Sequence, residues 1–236
     1  MNDHSVINDD DFILASFPRS GNTWLRFILA NLMSGNEVGI TFHNYHQYVP
    51  DIHFIRDFSE WRSYPPFPRV IKSHLLPQPE YKNIIYIVRD PRAAIISHWL
   101  YKGKPCELEQ YILSDDIWPA VWNVHVGQWV NYSHSNNVLI VRYEEMLSNT
   151  EEQIRNILAF LGLGNIDQNT IIQAVERSSF ERMRKIEKEE GFWRPLKGDE
   201  FMRRGKPDGW RKEVSQSILD KIIERNYEMM KYFNYI

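Results

Sequence analysis

The chain alternates short apolar runs with longer amphipathic stretches. Four runs rich in β-branched residues read as strands: FILASF (12–17), RVIKSH (69–74), IIYIVR (84–89) and VLIVRY (138–143). None alternates cleanly between apolar and polar, which predicts strands covered on both faces, as in a parallel sheet. Residues 22–33 carry Trp24, Leu25, Ile28, Leu29 and Leu32 on one helical stripe. Pro91 sits at a first-turn position and opens the helical pattern PRAAIISHWLYK. Thr150 with Gln153 forms a capping-box pattern before IRNILAFLGL, which Gly162 or Gly164 would end. A last helix, about 214–233, sets Ile218, Ile222, Met229 and Phe233 near one side. Residues 191–212 hold glycines, prolines and basic residues and read as a long functional loop, while 40–68 is aromatic-rich without clear period. Strands alternating with helices predict an α/β fold: a single domain with a central, mainly parallel β-sheet flanked by helices. Residues 1–10 read as a flexible tail.

Composition narrows the functions. The 236 residues are 43% hydrophobic and 14% aromatic, enough for a large core. A formal net charge of −3 argues against a partner as large and anionic as a nucleic-acid polymer. Positive charge is local instead, as in RRGKPDGWRK (203–212), and suits a small anionic ligand. Cys106 is the sole cysteine, so no internal disulfide can form, and no Cys/His spacing suggests zinc. The polar start MNDHSVINDDD does not read as a leader, and no apolar run is long enough for a membrane span. A cytoplasmic protein without a membrane partner is expected.

Ligands of open α/β sheets collect beyond the carboxyl ends of the strands. Each run here ends in polar chemistry: Arg19-Ser20-Gly21-Asn22-Thr23 after the first, Lys72-Ser73-His74 at the second, Arg89-Asp90 at the third, Arg142-Tyr143-Glu144 at the fourth. SFPRSGNTWLRFIL (16–29) outlines a P-loop-like strand–loop–helix, whose backbone N–H groups and dipole favour an anion. The form G-x-x-x-x-G-K-[ST] is absent: one glycine stands where two belong, and no Lys-Ser/Thr pair follows.

These residues carry a resemblance. The sequence resembles the cytosolic-type sulfotransferases, which use 3′-phosphoadenosine 5′-phosphosulfate (PAPS) and release adenosine 3′,5′-bisphosphate (PAP). The first loop looks like that family's Y-P-K-S-G-T-T-W, and VIKSHLLP like its K-T-H-L-P segment. YIVRDPRAAIISHW, VRYEEM, SSF (178–180) and FMRRGKPDGW (201–210) are similar to further family segments in the same order. The likeness spans residues 12 to about 212.

The resemblance implies a set of roles. Arg19 would contact the 5′-phosphosulfate in place of the family lysine, with Ser20, Gly21, Asn22 and Thr23 donating hydrogen bonds and Trp24 lying against the adenine. His74 would be the general base that takes a proton from an acceptor hydroxyl, a task suited to imidazole. Lys72, two residues earlier on the same side of the strand, would stabilise the leaving oxygen. Arg89, Ser97, Arg203, Arg204 and Gly205 would hold the 3′-phosphate. Tyr143, Ser179 and Phe180, and more weakly Ser178, would contact the nucleotide. No metal is implied. The implied reaction is in-line sulfuryl transfer to a small-molecule acceptor, its nucleophile a hydroxyl, an amine or a guanidine. The competing readings are a P-loop phosphotransferase, which predicts an acidic Mg²⁺ ligand, and a non-catalytic nucleotide binder. Acceptor-side candidates are the segment 40–68, HWLYKGK (98–104), Trp118, Trp122 and Trp193.

Overall fold

The computed structural model describes residues 7–35, 38–54, 64–193, 201–203, 209–212 and 214–236. Four parallel strands form one sheet in the order β2-β1-β3-β4: β1 (Phe12–Ser16), β2 (Val70–Ser73), β3 (Asn83–Val88) and β4 (Asn137–Arg142). Each lies within a residue of its sequence-read run. Register is fixed by apolar pairs across the centre, with Ile13 opposite both Ile71 and Ile84.

Alternation along the strands sends side chains into two cores, one on each face. Ile13, Ala15, Ile84 and Tyr86 face the core filled by α2 (Pro91–Tyr101), α3 (Leu108–Leu113), α4 (Trp122–Ser133) and α9 (Gln216–Tyr232). Leu14, Ile85 and Ile87 face the other, filled by α1 (Asn22–Ser34), α6 (Thr150–Phe160) and α7 (Gln168–Arg177). Both faces are covered, which is why the strands lack alternation in sequence. β1 leads into α1 on one face and β3 into α2 on the other, so a crevice opens between their carboxyl ends.

Several local expectations need correction. Asn149, not Thr150, precedes α6, and no side chain caps that helix end, so the Thr150–Gln153 pattern is not a capping box. Its other end follows expectation, with Gly162 in the left-handed region at φ 77°. In α9 the buried stripe is Leu219, Ile222, Asn226 and Met230, rotated from the one expected. Asn226 belongs to the core because its Nδ2 donates to Ile222 O at 2.7 Å, a role hydrophobicity alone cannot signal. Trp24 is only half-buried, whereas Arg26 and Phe27 are buried, so α1 is enclosed nearly all round. Helices α3, α4, α5 (Tyr143–Ser148), α7 and α8 (Phe180–Glu190) were not anticipated. Of the expected tail 1–10, residues 1–6 lie outside the described residues, as do 194–200 and 204–208 of the expected loop and 55–63 of the aromatic segment.

Leu14 is fully buried on the central strand, so Leu14→Ala should lower unfolding stability by about 2–5 kcal/mol. Val138, half-buried on the edge strand β4, should lose less than half as much when cut to Ala. Urea denaturation checks the pair, and equal losses would contradict the placement of the core.

Candidate functional site

A cavity of about 500 Å³ lies across the carboxyl ends of β1, β2 and β3. Pro18, Arg19, Gly21, Asn22, Thr23, Trp24, Lys72, His74, Arg89, Ser97, Tyr143, Phe180 and Arg203 all line it. Residues distant in sequence therefore meet because parallel strands end on one side. Ser20 and Ser179 do not line the cavity. Ser20 is fully buried, and its Oγ has no partner among the described residues. Ser179 caps α8 by accepting from Arg182 N, and Ser178 is buried in the core, where it accepts from Asn31 Nδ2 at 3.0 Å. Arg204 and Gly205 lie outside the described residues.

The first loop is built by two left-handed residues, Arg19 at φ 68° and Gly21 at φ 101°. A Cβ on Gly21 would stand 2.6 Å from Tyr143 Cδ2, so glycine lets the loop pack on that ring. Asn22 Nδ2 donates to Leu14 O and Ser16 Oγ, both at 3.2 Å. The Asn22 amide nitrogen thus braces α1 against β1, while its Oδ1 has no partner among the described residues. The first backbone N–H groups of α1 remain directed at the cavity end, an arrangement that suits an anion.

Cations gather round that loop. Arg19 donates from Nε to Ser97 Oγ at 3.1 Å and from Nη2 to Phe201 O at 2.8 Å, and its guanidinium lies 4.3 Å from the Phe201 ring centre. Burial, reinforced by Arg89 and Arg203, pushes Arg19 down to about 10, which still leaves it charged at neutral pH. Arg89 donates to Arg19 O at 2.8 Å and stacks over Tyr143 at 4.2 Å. Its Nε is buried without a partner among the described residues, while Asp90 pairs with Arg92 instead. Like charges this close, in a desolvated pocket, fit a polyanionic ligand. Trp24 meets Tyr143 edge to face at 6.0 Å and, with Phe180, gives the same cavity an apolar wall.

At the end of β2, His74 Nδ1 lies 2.7 Å from Ser16 O. A carbonyl only accepts, so Nδ1 carries the proton and Nε2 keeps the lone pair. Burial, then the nearby Lys72 charge, holds the His74 pKa well below 6.5, against the opposing effect of the Ser16 bond. The imidazole is neutral and its tautomer fixed, the state a proton acceptor needs. Lys72 Nζ, however, is 2.9 Å from Asp51 Oδ2 in a buried ion pair. Burial raises the Asp51 pKa, but Lys72 and Arg26 outweigh it, so the carboxyl stays below its usual range.

Beyond His74, the rings of His53, Phe54, Trp118 and Trp193 line the open end of the cavity. His53 Nε2 accepts from His74 N at 3.2 Å, and Trp118 stands edge-on to both imidazoles. Trp122 was an acceptor-side candidate, but it is 1% exposed and belongs to the core. Sequence reasoning missed Asp51, His53, Arg26 and Glu187. Asp51 and His53 fell within the flagged 40–68 segment, but their pairing with residues 72 and 74 is long-range and leaves no local signal. Glu187, on α8, accepts from Phe201 N and from Met202 N at 2.8 Å, tying residues 201–202 over the cavity. Among the described residues, no group of three or more His, Cys, Asp or Glu side chains could hold a metal ion. None of their helices is long and apolar enough to cross a membrane.

The sulfotransferase domain family matches residues 9–234 of the chain. Cytosolic sulfotransferase 12 of Arabidopsis thaliana is 27% identical, the alignment covering 93% of this chain and 78% of that protein. The 3-alpha-hydroxysteroid sulfotransferase of Cavia porcellus is 26% identical, over 95% of this chain and 86% of its own length. Among solved structures, a mouse sulfotransferase complexed with PAP superposes with a TM-score of 0.70 at 22% identity, covering 94% of this chain and 84% of that one. Retinol dehydratase in complex with androsterone and PAP gives 0.74 at 17% identity, covering 95% and 81%. These two likenesses establish the shared fold.

The buried histidines make stability depend on pH. Burial first of all pushes His98 down to about 3 and His125 to about 4, and His74 also lies well below 6.5. The unfolded chain takes up protons near 6.5 where the folded chain does not, so this stability is complete above 6.5 and falls as pH drops toward the folded values. Each histidine should remove about 1.4 kcal/mol per pH unit inside that window. Urea unfolding at neutral and mildly acid pH measures the slope, and His98→Gln should reduce it. A stability flat between pH about 7 and 5 would contradict the neutral histidines.

Proposed function

The chain belongs to the sulfotransferase domain family, and from that premise we propose that it moves a sulfuryl group from PAPS to a small-molecule hydroxyl, with His74 as general base. The observation that carries the reading is the convergence of Arg19, Arg89 and Arg203 with His74 on one cavity. A nucleotide with 3′- and 5′-anions suits those guanidiniums, and Trp24, Tyr143 and Phe180 offer its base an apolar wall. The relatives named for steroids and retinol act on small molecules, and the aromatic end beyond His74 has the right character for such an acceptor.

His74 Nε2 accepts the proton of the acceptor O–H as that oxygen attacks sulfur from the side opposite the leaving phosphate. The S–O bond to the 5′-phosphate breaks, and PAP departs with the electron pair. Arg19 and the N–H groups opening α1 face the charge that develops on the leaving oxygen. Lys72 reaches that oxygen only by sharing its ammonium with Asp51, which three ammonium donors allow. Residues 201–202, anchored by Arg19 and Glu187, cover the reacting groups and limit water access.

Calorimetry tests the cofactor reading: PAP should bind more tightly than ADP, and equal affinity would sink it. A mass-spectrometric screen of alcohols, phenols and amines with PAPS identifies the acceptor. With an acceptor in hand, His74→Ala should lower kcat by about 10²–10⁴-fold while PAP affinity changes little. Because His74 is held neutral, the acid limb of kcat/KM should fall below the ordinary histidine value of 6.5. An acid limb at or above that value would remove His74 from the role.

A further inference from the structure

Helix α4 carries one stripe of ring donors, Trp122, His125, Trp129 and Tyr132, at spacings of three, four and three residues. Every one ends on a backbone carbonyl of a loop leaving the sheet. Trp122 Nε1 donates to Arg89 O at 3.1 Å, and His125 Nε2 lies 3.0 Å from His74 O. Trp129 Nε1 donates to Leu75 O at 3.3 Å, and Tyr132 Oη to Tyr81 O at 2.8 Å. We infer that α4 is the positioning element of the active site, with His125 setting the backbone of His74 and Trp122 setting that of Arg89.

The chemistry fixes the direction of each bond. The His74 carbonyl can only accept, so His125 Nε2 carries a proton and Nδ1 does not. Nδ1 then accepts a hydrogen bond from the Tyr86 hydroxyl, 2.9 Å away on β3. Tyr86, His125 and the His74 carbonyl thus form a one-directional chain in a region where His125 and Tyr86 are fully buried. A charged His125 would cost the chain its acceptor, and burial keeps this ring neutral, near pKa 4. His74 is therefore held on both sides of its Cα. Its ring donates to Ser16 O, its N–H donates to His53 Nε2, and its carbonyl accepts from His125. If the carbonyl loses its donor, the backbone can turn and the ring bond to Ser16, which selects the Nδ1–H tautomer, weakens with it. Trp122 works one loop away, on the carbonyl of the residue whose guanidinium stacks on Tyr143.

The inference rests on the reading of His74 as general base and Arg89 as a phosphate ligand, but its test needs no acceptor. Imidazole ¹⁵N spectra of the full chain report the His74 tautomer, and calorimetry with PAP reports the Arg89 side. His125→Phe keeps the ring volume and removes the donor. His74 should then shift from the Nδ1–H tautomer toward a mixture, while PAP affinity stays within about twofold. His125→Gln, which keeps an N–H donor, should restore the tautomer. Trp122→Phe should weaken PAP by about threefold or more and leave the His74 tautomer as in the parent. An unchanged tautomer in His125→Phe would overturn the role of His125. A Trp122→Phe variant that binds PAP normally, or that disturbs His74 equally, would overturn the division of labour. Absence of PAP binding by the parent chain would count against the proposed function, leaving the His125 arm readable.

Discussion

The bond from His74 Nδ1–H to the carbonyl of Ser16 joins the ends of two parallel strands, and much of the site is organised around it. Ser16 is the last residue of β1, a central strand: it pairs with Ile87 of β3, and the pairing with β2 runs up to its neighbour Ala15. Its carbonyl selects the tautomer of His74, and its hydroxyl accepts from Asn22, the residue that opens α1. One strand end therefore sets both the His74 imidazole and the start of α1. A rigid reference of this kind is what keeps reacting groups within a fraction of an ångström.

Electrostatics works against the fold and for the site. Arg19, Arg89 and Arg203 come close enough to depress the first of them, and the Lys72 charge adds to burial in keeping His74 neutral. The arrangement tolerates these charges by dispersing them. Carbonyls, a serine hydroxyl and aromatic faces take the guanidinium groups of Arg19 and Arg89, and a buried carboxylate takes Lys72. Neutral acceptors solvate a cation without cancelling its attraction for an anion, whereas the Asp51 carboxylate does partly cancel it. Arg89 and Lys72, though both charged at strand ends, are thus not electrostatically alike.

Much of this was legible in the sequence wherever the cause was local. Strand runs, the proline that opens α2 and the glycine that ends α6 depend on neighbours in the chain, and they fell where expected. The residues at strand ends also met, because parallel topology forces them to one side. What escaped depended on contacts across the fold. Ser178 read as a weak ligand contact, yet it is paired in the core with Asn31, far away in the chain. Trp122 read as pocket lining because an aromatic residue carries no mark of which face it will take. Asp51 and Glu187 are ordinary acids in sequence, given meaning only by Lys72 and by the N–H groups of residues 201 and 202.

Asp51 has a second consequence through its own backbone. Lys72 N donates to Pro50 O at 2.8 Å and Ile52 N to Lys72 O at 3.0 Å, so residues 50–52 run as a short ribbon along the outer side of β2. That side of the sheet is a border strand, whose free N–H and C=O groups would otherwise template the addition of a foreign strand. The Asp51 carbonyl, which faces away from β2, is itself taken by Phe54 N at 3.0 Å, so the ribbon does not offer that acceptor to a further strand. The residues that bring a carboxylate to the buried ammonium are also the guard against edge-to-edge aggregation. The ion pair of Lys72 and the cover over the border strand thereby rest on the same three positions, and variation at one cannot be free of the other.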